Sequence, residues 1–346
     1  MGRLTMIRAM VVGLGASVLM SLGGLQAQAE DAAAFYRGNT IRFIVGSGTG
    51  GGYDLFARLL APHVGARTGA TVIVENLPGA GGLIALNREY AAKPDGLQVM
   101  IVNGVAAAMS QIIEMDSVRY DLAKFGLLGI VNAEPWVWLV SAQSKYKSAR
   151  EAIDDGQQIT WGGSGIISGL SDGAAMTCDA LGLKCRIVSG YPGSNEVAIA
   201  LGRGEVDALY VSELPAQNYV ASGLGRNIAA MSRQRLRTFP DVPTIFEIMK
   251  LTPEQTAKIN FRIAIDELGR IFVVPPDTPR DRLAYLQGVF RDVMLSPEVI
   301  AEVEKRNLYI DYRSPAETQA LITSIFKGLT PEMRRQVKDV ATGRYR

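Results

Sequence analysis

The chain has 346 residues, with 36 basic and 34 acidic side chains, one histidine (His63) and two cysteines (Cys178, Cys185). This near-neutral balance, without long charge blocks, argues against nucleic acid or an anionic membrane surface as a partner. One histidine and two thiols fall short of the three or four protein ligands of a zinc site, so no metal is expected.

The first predicted element is an export signal. In "MGRLTMIRAMVVGLGASVLMSLGGLQAQAE", Arg3 and Arg8 precede an apolar run that closes on Ala27-Gln28-Ala29, the pattern of a cleavable secretory segment over residues 1–29. The run of about 17 residues, diluted by glycines, is short of the roughly 20 that a spanning helix needs. No cysteine follows the cleavage pattern, so no lipid anchor is expected. Removing residues 1–29 leaves 34 basic against 34 acidic side chains over roughly 317 residues, enough for two domains with full cores. In an exported protein, Cys178 and Cys185 most simply form a disulfide, with two buried thiols as the alternative. His63 reads as a surface residue without a special role.

A strand-then-helix alternation follows. "IRFIV" precedes a helix over 55–66; "TVIVEN" is the next strand; the loop "LPGAGG" opens a helix over 83–92; "LQVMIVN" is a third apolar run after the turn "KPDG". The pattern then restarts: "WVWLVS", a helix over 149–155, "QQITWG", the loop "GSGIISG", a helix over 172–181, "CRIVSGY", a helix over 196–202 and "VDALYVS". After "NIAAMS" come "FPDVPTIFEI", "GRIFVVPPDTP" and C-terminal helices from near Arg280. Such alternation implies an α/β fold of parallel strands with helices on both faces, and ligands at the carboxyl ends of the strands. Two comparable units enclosing a cleft are expected, with 30–132 and 234–346 forming lobe one and 133–233 forming lobe two. A single large sheet is the alternative.

The loop after "IRFIV" admits three readings. Gly46, Gly48 and Gly51 spell G-x-G-x-x-G, and Glu75 lies 24 residues beyond Gly51, where an acid could hold a ribose. A dinucleotide-dependent oxidoreductase is therefore one alternative, although an exported protein has no assured nicotinamide supply and three glycines are a weak pattern in a chain holding 37. Gly169-Leu170-Ser171-Asp172-Gly173 matches the G-x-S-x-G elbow of hydrolases, but the only histidine lies upstream of the serine, against the required order. The third is anion capture by backbone amides at glycine turns and helix N-termini, which carry partial positive charge without any arginine. "GTGGGYD" and "PGAGG" supply such loops in the first unit, "GGSGIIS" and "YPGSNE" in the second.

"VGSGTGGGYDLFAR" (45–58), "VIVENLPGAGG" (72–82), the P-D-G turn at 94–96, "YPGSNEVAIALGRGEVDALY" and "FPDVPTIFE" follow one another along nearly the whole mature chain. In this order they resemble the motifs of the periplasmic binding proteins of tripartite tricarboxylate transporters, the Bug family. The resemblance implies a two-lobed, type II-like periplasmic binding protein fold, each lobe a sheet flanked by helices, closing on an organic acid. It implies no catalysis and no cofactor. The implied partners are a small organic acid and the membrane subunits of a transporter, with a sensor kinase's exterior domain as an alternative, and the protein itself is expected to be a periplasmic monomer. Carried over by position, Thr49, Gly50, Gly51, Asp54, Ala80, Gly81 and Gly82 line lobe one, and Ser164, Gly165, Ser168, Gly193, Ser194 and Ser212 line lobe two; Ser47 and Tyr53 in the first loop and Trp161 in the second unit are further ligand-binding candidates read from the residues themselves. Asp54 is an acceptor and so serves as a helix cap, a ligand-hydroxyl partner or a water holder, while Trp161 and Tyr53 either stack on an aromatic acid or pack. Departures from the family pattern are Gly46 and Ser47 for Pro and Phe, Ile167 for glycine, Ser171 for histidine, Ser189-Gly190 for Val-Pro, and a longer segment 250–268.

Overall fold

The computed structural model describes residues 31–165, 167–306 and 308–346; the expected export signal over 1–29 lies outside them. Two five-stranded sheets organise the chain. The first holds β1 (Thr40–Val45), β2 (Thr71–Asn76), β3 (Gln98–Asn103), β4 (Gly126–Asn132) and β10 (Arg270–Val274), in the order β2-β1-β3-β10-β4. The second holds β5 (Trp136–Ser141), β6 (Ile159–Gly162), β7 (Cys185–Val188), β8 (Ala208–Ser212) and β9 (Gly225–Met231), in the order β7-β6-β8-β5-β9. The single large sheet is thereby excluded, and the two sheets repeat one plan: second, first, third, a strand arriving from the other sheet, last.

The arriving strands correct the expectation of all-parallel sheets. β1 pairs parallel with β2 and β3, and β6 with β7 and β8. β10 runs antiparallel to β3 and β4, and β5 antiparallel to β8 and β9. Chain geometry is the cause. Only residues 133–135 separate β4 from β5, a span that reaches no farther than the facing edge of the second sheet. β5 therefore starts where β6, β7 and β8 end, and must run the other way. β10 likewise starts at Arg270, opposite Asn103 and Asn132, the last residues of β3 and β4.

Strand alternation explains why these segments are nearly continuous apolar runs: both faces are covered. Ile41, Phe43 and Val45 of β1 face an outer core with Phe56, Phe272 and Phe290, whereas Ile44 faces the interior between the sheets. In β5, Val137 and Leu139 face the outer core of the second sheet, and Trp138 and Val140 face the interior. That interior is one cluster reaching from Met100 and Val102 of β3 to Trp138, Trp161 and Tyr210 of the second sheet.

Helices follow the strands: α1 (Gly52–Thr68), α2 (Leu83–Tyr90), α3 (Gly104–Ile112), α4 (Ala149–Asp155), α5 (Gly169–Leu181), α6 (Ser194–Gly202), α7 (Glu213–Ala221), α8 (Ile245–Ile248), α9 (Pro253–Asp266), α10 (Arg280–Met294), α11 (Pro297–Glu304), α12 (Pro315–Lys327) and α13 (Pro331–Thr342). The long 250–268 segment is thus mostly α9, begun by a capping box of Thr252 and Gln255 with Pro253 in the first turn. It packs on α3 of the first unit and α5 of the second. At that joint Arg262, 2% exposed, pairs with Asp172 of α5 and Asp266 of its own helix, each at 2.7 Å. Tyr210 donates to Asp266 at 2.7 Å. The Cys178–Cys185 disulfide forms as expected, tying α5 to the start of β7. His63 does not stand free on the surface: it bonds Glu302 of α11 at 3.0 Å, which corrects its assignment as an idle surface residue.

Candidate functional site

The carboxyl ends of β1, β2 and β3 share one edge of the first sheet, and the loops leaving them form the site. β1 runs into Gly46 and Ser47; β2 is followed by the tight turn Ala80–Gly82 and α2. The two glycine loops touch. A Cβ on Gly46 would lie 3.0 Å from the Gly82 Cα and 3.2 Å from the Met100 Cε, so any larger residue would have to push the two loops apart by a few tenths of an ångström. Gly50 takes φ 83°, the left-handed conformation that lets the chain turn back into α1.

Asp54 holds that turn. Its Oδ2 accepts from the Gly50 amide at 2.8 Å and from Arg58 Nε at 3.0 Å, and its Oδ1 from Asn76 Nδ2 at 2.9 Å. Burial alone would raise its pKa, but Arg58, the Gly50 amide and Asn76 outweigh it and keep the carboxyl below its usual range. The carboxylate is 2% exposed and its oxygens are engaged, so Asp54 organises the loop and does not face a ligand. The Gly50 amide is spent on it too, which corrects both residues as ligand contacts.

Ser47, Tyr53, Gly81 and Gly82 line a cavity of about 320 Å³ at the sheet edge. The Ser47 hydroxyl is buried and has no hydrogen-bond partner among the described residues. Thr49, Gly51 and Ala80 are exposed beside the loops and outside this cavity. Its third wall was missed from sequence: Asn103, Ala106 and Ala107 at the start of α3, which leaves β3 as α1 leaves β1. The signal for it lay in Asn103, whose side chain accepts from the Ala106 amide at 3.1 Å as an N-cap.

Several helices start at the expected loops without a side-chain cap: α1 behind Gly51, α2 behind Gly82, α6 behind Gly193 and α7 behind Ser212. Elsewhere Ser148, Thr244, Thr252, Ser314 and Thr330 cap their helices, although α10 and α11 are uncapped as well. Of these, α1 and α6 keep open N-terminal amides, a ready anion site, whereas the Gly82 and Leu83 amides at α2 bond Gly79 and Ala80, and the Glu213 amide at α7 bonds Pro135.

In the second unit, Ser168 is the exception among the candidates, since its hydroxyl caps α5 by accepting from the Ser171 amide at 3.3 Å. The Gly190 amide donates to the Ser164 carbonyl at 2.6 Å, joining the loops after β6 and β7 beside Gly165. Ser194 accepts from the Tyr219 hydroxyl at 2.8 Å. Ser164, Gly165, Ser168, Gly193, Ser194 and Ser212 all lie outside the lobe-one cavity. Trp161 is a correction: it is 0% exposed and packs on Trp138 with ring centroids 5.0 Å apart. Strand alternation turns it into the interior with Ile159, away from any mouth.

Beneath the first loop sits Arg270. Its guanidinium lies over the rings of Tyr53 and Phe56 and donates to Glu134 at 2.8 Å and Asn132 at 3.0 Å, on the link between the sheets. Burial pushes the Tyr53 phenol up to about 12, so it stays a neutral hydroxyl. Glu75 makes two hydrogen bonds to Arg42 across β1 and β2, and that pairing lowers its pKa. The acid that a dinucleotide would need for its ribose is therefore already engaged.

Two sheets joined by one short link, 133–135, and by the longer helical connection 232–269, with open helix N-termini at the strand ends, define a two-lobed solute-binding protein. The chain belongs to the tripartite tricarboxylate transporter receptor family, TctC, whose model matches residues 56–327. A UPF0065 protein of Bordetella pertussis is 25% identical over 280 residues, 80% of this chain and 83% of that protein. A TctC solute-binding protein from Polaromonas superposes with a TM-score of 0.69 at 22% identity, over 88% of this chain and 98% of that one. The MatC protein of Rhodopseudomonas palustris, solved with malate, gives 0.63 at 19% identity, over 88% and 99%. The fold and family that the motifs implied are thus borne out.

Proposed function

We propose that this protein captures a small organic carboxylate between its lobes outside the cytoplasm and delivers it to the membrane subunits of a tripartite tricarboxylate-type transporter. The observation that carries this is the pair of open helix N-termini behind Gly51 in the first unit and Gly193 in the second, in a chain of the receptor family. The malate held by the Rhodopseudomonas protein supports the same chemistry. The lobe-one amides bind first, and closure brings the loops at Ser164–Ser168 and Gly193–Ser194 onto the ligand. Closure is driven only by the ligand's preference for the closed form. Sheet membership supports 30–132 and the strand at 270–274 as lobe one and 133–233 as lobe two, with α9 spanning both; Leu236, Phe239 and Thr244 pack on the second sheet and α13 chiefly on α5, which moves 234–249 and 331–346 from the expected lobe one to lobe two. The protein acts as a periplasmic monomer, exported by residues 1–29, and performs no catalysis.

Titration calorimetry against mono-, di- and tricarboxylates, amino acids and NAD tests the proposal. At least one acid is expected to bind with micromolar or tighter affinity, and NAD not at all. Tight binding of NAD with no response to any acid would overturn it.

A further inference from the structure

Resting on the carboxylate function above, we infer that the ligand is a monocarboxylate with an apolar body, a single ring or a short aliphatic chain, and not a di- or tricarboxylate. The lobe-one cavity has an apolar interior. Met100 and Val102 of β3 form its floor, Leu83 and Leu86 of α2 one side, Ala106 and Ala107 of α3 the other. Its polar groups are few: the unpartnered Ser47 hydroxyl, Tyr53, Asn103 and the backbone at Gly81–Gly82. Among the described residues no acidic or basic side chain lines it.

A carboxylate set among those alkyl walls would lose its hydration without a cation to replace it, a heavy cost for a charged group. Arg270 stands outside the cavity lining: its Nη1 is engaged by Glu134 and Asn132, while its unpartnered Nε and its Nη2 beside Gly52 place positive charge at the start of α1 and none among the alkyl walls. One carboxylate belongs at the polar mouth, on the open amides at the start of α1. The rest of the molecule then fills the apolar interior, which small residues at 46, 47, 82 and 106 leave empty. At about 320 Å³ the space is at the small end of ligand pockets, matching one ring or a short chain.

Calorimetry on matched pairs tests this: hexanoate against adipate, and phenylacetate against malate and citrate. Along the straight-chain monoacids from propionate to hexanoate, affinity rises about fourfold per buried methylene until the cavity is full. Hexanoate is expected to bind tenfold or more above adipate. In Ala106→Leu, at a half-buried wall position, hexanoate and phenylacetate weaken at least tenfold while propionate changes less than threefold. Should that variant fail to melt cooperatively, the wild-type pairs alone decide. Adipate, malate or citrate binding as tightly as its matched monoacid overturns the inference. Failure of every acid to bind overturns the carboxylate function itself, a separate result.

Discussion

Replacing Arg262 with methionine isolates the ionic joint between α9 and α5. In the native protein one guanidinium serves two carboxylates, Asp172 and Asp266, which are 1% and 4% exposed. It also lies over the rings of Trp136 and Tyr210. Methionine fills much of the volume but strips both buried acids of the guanidinium, leaving Asp172 only the more distant pull of Arg346. Removing one partner of a buried pair costs about 3–5 kcal/mol, which lowers the melting temperature of a protein this size by roughly 10 °C. The cost should shrink at low pH, where the stranded acids take up protons. The variant Arg262→Met with Asp172→Asn and Asp266→Asn should recover most of the loss, because the amides carry no charge. Thermal melts followed by circular dichroism at pH 5 and pH 8 read all three quantities. A single variant melting within about 2 °C of wild type, or a triple variant no better than the single, would refute the account.

Three further outcomes are expected. Burial, only partly opposed by Arg262 and Tyr210, raises the Asp266 carboxyl from 3.8 to about 6, so its contribution to stability is full below pH 4 and is lost as pH rises through 6. The loss amounts to at most about 3 kcal/mol, and urea titrations of Asp266→Asn should lack this limb while wild type shows it. Asp54→Ala removes the acceptor of the Gly50 amide, Asn76 and Arg58, and should cost about 2–4 kcal/mol and weaken ligand binding at least tenfold; unchanged calorimetric affinity would show that the loop keeps its shape without it. Reducing Cys178–Cys185, which closes a short loop, should lower stability by roughly 2 kcal/mol, and denatured protein should take up no thiol label until a reductant is added.

Periodicity and punctuation made much of the fold legible. The strands at 71–76 and 136–141 and the helix at 149–155 lie where their residue patterns place them, and α10 starts at Arg280. The glycine loops were legible because glycine eases the close Gly46–Gly82 approach and the left-handed turn at Gly50. Strand direction was not, since alternation carries no polarity; it was set by the three residues between β4 and β5. Trp161 was misplaced by reading its loop instead of its strand, where it shares a face with Ile159. The sequence Thr252-Pro253-Glu254-Gln255 announced α9 in plain capping chemistry, but nothing local says that the helix will bridge two units. The α3 wall hid in an apolar run whose only polar opening is Asn103.

The interior cluster that runs unbroken from β3 to Trp138 and Trp161 has a consequence for cooperativity. Neither unit can lose its packing without stripping the shared cluster from the other, and α9 and α13 would be left with half a surface each. The protein should therefore unfold in a single calorimetric transition, its two sheets melting together, and an isolated 133–233 fragment should bind hydrophobic dyes and fail to melt cooperatively.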